Sequence, residues 1–373
     1  MDFDLSEDRQ LLGKTVADFC KTRSPVTRFR ALRNAAQEGQ GPGWDPRVWT
    51  EMGDLGWLAA PFPEEVGGLG GNFVDAALIL EQLGKTLVPE PYLASVILGG
   101  YALALGADEG QQQAWLAPML EGRSVLALAW AEQGNRYDPT VSACTAAKDG
   151  DGWLLRGDKR FVLGGHAADQ LIVSVMADDG LGLFIVDADA EGLERRNLGT
   201  IDGHRAAHLR LEGVRVQSGQ RLTAAPAAQV LQRVLDYGAA AAVAEGLGVA
   251  ATMLELTKDY LGTREQFGAK IGSFQALQHR AVDMFIEVEL LRSANMESMI
   301  RADEESGEER AQAISAAKYQ LGIGGQFVSR QSVQLFGGIG VTDEADIGLF
   351  FKRMQALSGI CGDAEWHLAR FAR

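Results

Sequence analysis

At 373 residues, 46% hydrophobic and 23% charged, the chain is long enough for two or three packed domains and ordinary in composition for a globular protein. Its net charge of −15 argues against nucleic acid or anionic membrane as the main partner, because no basic footprint exists to neutralise phosphates. No apolar run approaches the roughly 20 residues of a membrane span, and the acidic start MDFDLSEDRQ lacks the basic and apolar regions of a signal peptide. A cytoplasmic location is therefore expected.

From Leu5 to about Glu121 apolar residues recur at helical spacing. Ser6 is placed as an N-cap with Glu7 and Asp8 in the first turn, and Leu11, Leu12, Val16 and Phe19 make one stripe. A second helix is expected from about Asn72 to Gly84, with Gly84 as a candidate C-cap. Between about Gly122 and Gln220 the pattern changes to short β runs: Val125–Trp130, Trp153–Arg156, Leu171–Val175, Leu181–Val186 and His208–Leu211. The stretch AKDGDGW carries a strong hairpin signal. With no helices between them, these strands should pair antiparallel as a barrel or sandwich. From about Pro226 the helical period returns, with helices over Ala227–Leu261, Gln275–Glu304 and Ala311–Leu335 and a polar turn ADEESGEERAQ joining the last two. The expected domains are thus residues 1–121 (helical), 122–225 (β) and 226–373 (helical bundle).

Several chemistries find no support. Cys20, Cys144 and Cys361 are odd in number and far apart, so they form neither a disulfide framework nor a metal knuckle. His204 and His208 share one face of a strand-like stretch but lie about 13 Å apart by strand rise, too far for a metal pair, and no metal site is expected. There is no P-loop, nucleophile elbow or zinc-protease motif. The run from Gly246 through Gly248 to Ala251 matches G-x-G-x-x-A, yet no strand precedes it, so its glycines read as close helix packing.

The stretch from Tyr260 to Gln278 is more specific. A helix stops near Gly262–Gly268, a turn holds Arg264, and a new helix begins at Ser273. Arg264 in such a turn can act as a bidentate phosphate clamp, with Phe267 and Phe274 flanking a planar ring; spacing alone favours a helix hairpin with a solvated arginine.

These residues, Arg264-Glu265-Gln266-Phe267-Gly268 through Phe274-Gln275, resemble the R-x-Q-F-G-x-x-I-x-x-F-Q signature of the acyl-CoA dehydrogenase family. Gln334-Leu335-Phe336-Gly337-Gly338 is similar to the family's Q-x-x-G-G-x-G. Pro63–Gly70, Glu81–Gly84, Ala131-Glu132 and Gly157–Phe161 resemble further family elements, in order along the whole chain. The resemblance implies an α+β fold: an N-terminal helical domain, a central antiparallel β barrel or sandwich and a C-terminal four-helix bundle. It also implies FAD as cofactor, an acyl-CoA substrate, electron-transfer flavoprotein as acceptor and a dimer or tetramer. In the family, Arg264, Gln266, Phe267, Phe274, Gln275, Gln334, Gly337 and Gly338 would hold the FAD of the adjacent subunit. Trp130 and Phe161 would lie against this chain's own flavin.

Other positions depart from the family pattern. Ala131 stands where a threonine usually touches the flavin, Phe161 where tryptophan is usual, Leu163 where a hydroxyl residue is usual, and Ala239 where an arginine lies on the substrate side. The usual catalytic glutamate falls on Cys361, and the alternative base position falls on Gly238. A buried thiol is a poor general base. Glu245, on an apolar helix where uncompensated burial would raise its pKa, and Asp363 are the substitute candidates. Elements serving a neighbour's flavin are intact while those serving the chain's own site are eroded. That pattern resembles the small subunits of heteromeric acyl-CoA dehydrogenases acting on pimeloyl-CoA or steroid acyl-CoA. The expected function is FAD-dependent α,β-desaturation of an acyl-CoA, as one subunit of a hetero-oligomer beside a paralogous subunit; the alternative is a non-catalytic subunit completing a partner's flavin site.

Overall fold

Ser6 caps the first helix. Its hydroxyl accepts a hydrogen bond from Arg9 N (3.4 Å), and α1 (Glu7–Arg23) opens with Glu7 and Asp8 at the positive end of its dipole. A computed structural model describes residues 5–140 and 142–373; Met1–Asp4, where the acidic N-terminal segment begins, and Val141 lie outside the described residues. α2 (Val26–Gln37), α3 (Pro46–Asp54) and α4 (Phe73–Thr86) follow. A π-type segment, Leu93–Gly100, then runs into α5 (Tyr101–Gly106), and the short α6 (Glu109–Gln111) and α7 (Ala117–Leu120) close the N-terminal helical stretch. Gly84 is not a C-cap: α4 continues to Thr86, and a Cβ at Gly84 would sit 2.3 Å from the Glu245 carbonyl oxygen. Close helix approach, not termination, requires the glycine there.

The middle of the chain is a seven-stranded sheet: β1 (Leu126–Ala129), β2 (Thr145–Asp149), β3 (Gly152–Leu163), β4 (Gln170–Ala177), β5 (Gly180–Asp187), β6 (Leu193–Gly199) and β7 (Arg205–Val216). The hairpin signal is realised between β2 and β3, where Asp149 pairs with Gly152 across Gly150, held at φ +62. Most pairings are antiparallel, as expected. The exception is β4, which runs parallel to both β1 and β2, and these lie one after the other along a single edge of it. Leu171, Val173 and Val175 of β4 pack with Trp153, Leu155, Phe184, Leu209 and Leu211 in the sheet's core. β6, with Glu194, Arg195 and Arg196 exposed, is a charged edge strand of the kind that resists further pairing. β2 and β6 escaped sequence reading because their residues are mostly polar.

The C-terminal bundle comprises α8 (Ala227–Thr263), a hairpin of β8 (Glu265–Gln266) and β9 (Ala269–Lys270), α9 (Gln275–Arg301), α10 (Gly307–Gln320), α11 (Gln326–Phe336), α12 (Ile347–Gly359) and the short α13 (Ala364–Phe371). A π-type turn, Leu321–Gly325, joins α10 to α11, so the expected third helix is interrupted where Gly322, Gly324 and Gly325 cluster. A Cβ at Gly248 would meet the Glu81 carbonyl oxygen at 2.0 Å, and one at Gly246 would meet Leu321 at 2.4 Å, so the G-x-G run is indeed a helix-packing feature. Among the described residues α8 is the one helix long and apolar enough to cross a bilayer, and 78% of its apolar window is buried inside the fold, as in a core helix. The chain forms two compact units, one of residues 1–31, 73–88 and 239–373, the other of 32–72 and 89–238.

Candidate functional site

The first site element begins where α8 ends. Glu265 pairs with Lys270 and Gln266 with Ala269, leaving Phe267 and Gly268 as a two-residue loop. Such loops favour positive φ at both central residues. Gly268 (φ +76) adopts this freely, whereas Phe267 (φ +55) does so at a cost of about 1–2 kcal/mol. Phe267 is also 93% exposed. Its nearest ring is Phe274, edge-on at 6.2 Å. Arg264, Gln266 and Gln275 are exposed as well, and the Arg264 side chain has no ion-pair or hydrogen-bond partner among the described residues. A strained, exposed aromatic beside an uncommitted guanidinium gains nothing for this chain alone.

The second element is the end of α11. Gln334, Gly337 and Gly338 are exposed there, and Gly337 turns the chain at φ +69. A Cβ at Gly338 would meet no atom within 4 Å, and its φ is not in the left-handed range. Nothing within the chain requires glycine at 338; a closely approaching ligand would. Tyr260 stacks on Phe336 with centroids 4.3 Å apart and planes 10° from parallel, which brings this turn beside the hairpin.

The third element lies on the sheet. A register shift between Lys159 and Val162 sets Arg160 and Phe161 against His208 of β7. Phe161 N donates to His208 Nδ1 (3.1 Å), and Phe161 is held at φ +53 and 53% exposed. Burial, with Arg160 and Arg196 nearby, lowers the His208 pKa, in keeping with a neutral ring that accepts at Nδ1. Arg160 N donates to the Ala131 carbonyl oxygen (2.7 Å), joining the bulge to the half-buried Trp130 segment. Beneath it, Lys159 is fully buried against Glu132 (2.5 Å) and Ser174 Oγ (3.0 Å). Burial alone would raise the Glu132 pKa, but hydrogen bonds from Lys159 and Ser142 bring it below the ordinary carboxylate value. Cys144, pushed up to about 12 chiefly by burial, is an inert thiol.

The fourth element is the turn after α12. Cys361 sits at φ +55 and Gly362 at φ +126, where a Cβ would meet His367 Nε2 at 2.4 Å. Buried Lys318 donates from Nζ to the carbonyl oxygens of Leu357 (2.9 Å), Ser358 (2.9 Å) and Gly362 (2.8 Å). His367 bridges Ser315 Oγ (3.2 Å) and the Cys361 carbonyl oxygen (3.1 Å). Burial, with Lys318 beside it, pushes the His367 pKa down to about 3, so the ring is neutral and donates to Cys361.

Both substitute acids are committed elsewhere. Glu245 is buried, but Arg353 grips it with two hydrogen bonds (2.6 and 2.9 Å), so its burial is compensated, contrary to expectation. Asp363 is the N-cap of α13, accepting from Trp366 N (2.9 Å). Cys361 is half-buried, not the fully buried small hydrophobe its composition suggests. Sequence reading missed Arg353, Lys318 and His367. Lys318 left a signal, since it is the lone cation in the apolar run Ile314–Gly325.

The sequence matches three family descriptions in succession: acyl-CoA dehydrogenase N-terminal domain over residues 6–123, middle domain over 127–214 and C-terminal domain over 228–373. The chain belongs to the acyl-CoA dehydrogenase family. It is 29% identical to acyl-CoA dehydrogenase FadE27 of Mycobacterium tuberculosis, over 100% of this chain and 98% of that protein. A Tcur3481-Tcur3483 steroid ACAD variant superposes with a TM-score of 0.87 at 32% identity, covering 98% of this chain and 97% of the other. The ChsE4-ChsE5 complex from Mycobacterium tuberculosis superposes with a TM-score of 0.90 at 29% identity, covering 100% and 98%. The acyl-CoA dehydrogenase fold expected from the sequence is therefore present, and its members are oxidoreductases acting on CH–CH groups.

Proposed function

We propose that this chain is one subunit of a hetero-oligomeric, FAD-dependent acyl-CoA dehydrogenase, and that its intact contribution is to complete the flavin site of the adjacent subunit. The observation that carries the reading is Phe267, strained at φ +55 and 93% exposed beside Arg264. That arrangement is stable in purpose only against another chain and its ligand. Two complexes among the similar structures, ChsE4-ChsE5 and Tcur3481-Tcur3483, support a heteromeric setting. An exposed apolar stripe on α9 (Val282, Phe285, Ile286 and Leu290) supplies further surface for an oligomer contact.

FAD fits the exposed elements. Arg264 would supply a charge-assisted phosphate contact, Gln266 and Gln334 polar contacts, Phe267 and Phe274 apolar ring faces, and Gly337-Gly338 a backbone that a ligand can approach closely. Bound there, FAD would supply the acceptor for the hydride that leaves the substrate β-carbon, with electron-transfer flavoprotein as the onward acceptor. On the sheet, Trp130 and Phe161 would flank this chain's own flavin. The α-proton requires a base, and neither Glu245 nor Asp363 is uncommitted, while Cys361 is a thiol. The chain's own desaturation site is thus degraded, and the proton is taken in the partner's site.

The test is purification alone and with the adjacent dehydrogenase subunit. The mixed assembly should carry FAD, and Arg264→Ala in this chain should weaken FAD binding about ten- to a hundredfold. Rapid bleaching of flavin by acyl-CoA in this chain alone would overturn the degraded-site reading.

A further inference from the structure

We propose that the Tyr260–Phe336 ring stack is the joint that sets the two cofactor-holding elements in register, and that it acts as a positioning device for FAD affinity. This rests on reading the hairpin and the Gly337-Gly338 turn as a flavin grip. Each ring sits at the root of one element. Tyr260 is one helical turn before Arg264, and its carbonyl oxygen accepts from Arg264 N (2.8 Å), so tilting Tyr260 tilts the start of the hairpin. Phe336 lies between Gln334 and Gly337 and forms the last residue of α11. The near-parallel contact, 4.3 Å and 10°, couples the end of α8 to the end of α11. Among the described residues no strand pairing or ion pair joins these two ends: β8 and β9 pair only with each other.

The far side of the glycine turn is anchored independently. Arg30 of α2 donates to Asp343 Oδ2 (3.2 Å), the Asp343 carbonyl oxygen and Asp346 Oδ1 (2.6 Å), at the entry to α12. With that exit fixed, the stack opposes displacement of the α11 end, beside buried Leu335 and the Arg280–Gln331 hydrogen bond (3.3 Å) that holds α11 to α9. The Tyr260 hydroxyl has no hydrogen-bond partner among the described residues, so the ring and not the hydroxyl makes the joint.

Equilibrium FAD titration of the mixed assembly tests this, with unfolding midpoints recorded beside it. Tyr260→Ala and Phe336→Ala should each weaken FAD about two- to tenfold, the double variant no more than the worse single one, and Tyr260→Phe less than about twofold. Tyr260→Leu, which keeps apolar bulk without a stacking plane, should weaken FAD as the alanine does even where the midpoint is preserved. A tenfold loss in Tyr260→Phe would show a hydroxyl contact to ligand and overturn the proposal. So would unchanged affinity in both alanine variants while Arg264→Ala loses FAD. If Arg264→Ala also keeps FAD, the flavin-grip reading itself fails.

Discussion

Two turns in the C-terminal region share one backbone pattern and opposite surroundings. Phe267-Gly268 and Cys361-Gly362 each place a side-chain-bearing residue near φ +55 ahead of a left-handed glycine. The Cys361 turn is braced from within: Lys318 holds three carbonyls, His367 holds a fourth and Asp363 caps the following helix. The Phe267 turn has one edge-on ring for company and is otherwise open. Strain compensated inside the chain marks a scaffold that folding maintains. Strain left uncompensated fits the proposal that another chain completes that surface. On the proposed reading, the turn at Cys361 keeps its bracing although a thiol stands where the family resemblance implies a carboxylate.

The strongest way to break this comparison is at Glu245. If its role is to pair Arg353, Glu245→Ala takes the carboxylate from a buried guanidinium and should cost about 3–5 kcal/mol of stability. Glu245→Ala combined with Arg353→Met should recover most of that in urea unfolding. If instead Glu245 is a base, the folded Glu245→Gln variant would lose about 10² to 10⁴ in the rate of flavin reduction, and the scaffold reading of that helix would fall. Lys318→Met is the next largest expected effect, about 2–4 kcal/mol, because the α12 end and the Cys361 turn lose three hydrogen bonds. An unchanged unfolding midpoint would mean the turn is not braced as described.

Sequence reading found the helices with long apolar periods and the strands rich in branched residues, because burial of one face writes a period into the chain. The proposed cofactor grip of Arg264, Gln266, Phe267, Gln334, Gly337 and Gly338 was legible only as a motif, and the structure shows these residues exposed. It missed what depends on tertiary pairing. Nothing local in Arg353 shows that it meets Glu245, 108 residues away. The parallel placement of β1 and β2 along β4 was likewise invisible, because a strand's composition does not record its neighbour's direction. Gly84 reads as a cap until the Glu245 backbone pressed against it is seen, whereas the absence of a strand before Gly246–Gly248 already pointed to helix packing.

Acid sensitivity sharpens the scaffold side. The folded-state pKa of His367 is about 3, below the roughly 6.5 of an unfolded histidine. As pH falls below about 6.5 the unfolded chain takes up a proton that the folded chain refuses, so stability falls with pH down to about 3 and is flat above 6.5. His166, pushed down to about 4 chiefly by burial, has the same sign. The slope from one such group approaches about 1.4 kcal/mol per pH unit. Relative to wild type, His367→Gln should flatten stability between pH 6.5 and 5 by about 2 kcal/mol, a window above most carboxylate titration. Equal slopes for the two proteins would show that His367 is protonated in place.

Phe267 provides the smallest and most discriminating change. In the isolated chain its exposed ring gives up nothing when removed, and glycine adopts φ +55 without the steric cost that phenylalanine bears. Phe267→Gly should therefore leave the chain's own unfolding midpoint unchanged or raise stability by up to about 1 kcal/mol, offset in part by the greater entropy of the unfolded glycine. In the mixed assembly the sign should reverse: FAD affinity or subunit association should weaken, because burial of a phenylalanine ring against a neighbour is worth about 1.5–3 kcal/mol. Stabilisation alone and weakening in the complex is the signature of strain kept for a partner. Destabilisation of the isolated chain would instead assign Phe267 to its own fold, and the contrast with Cys361 would vanish.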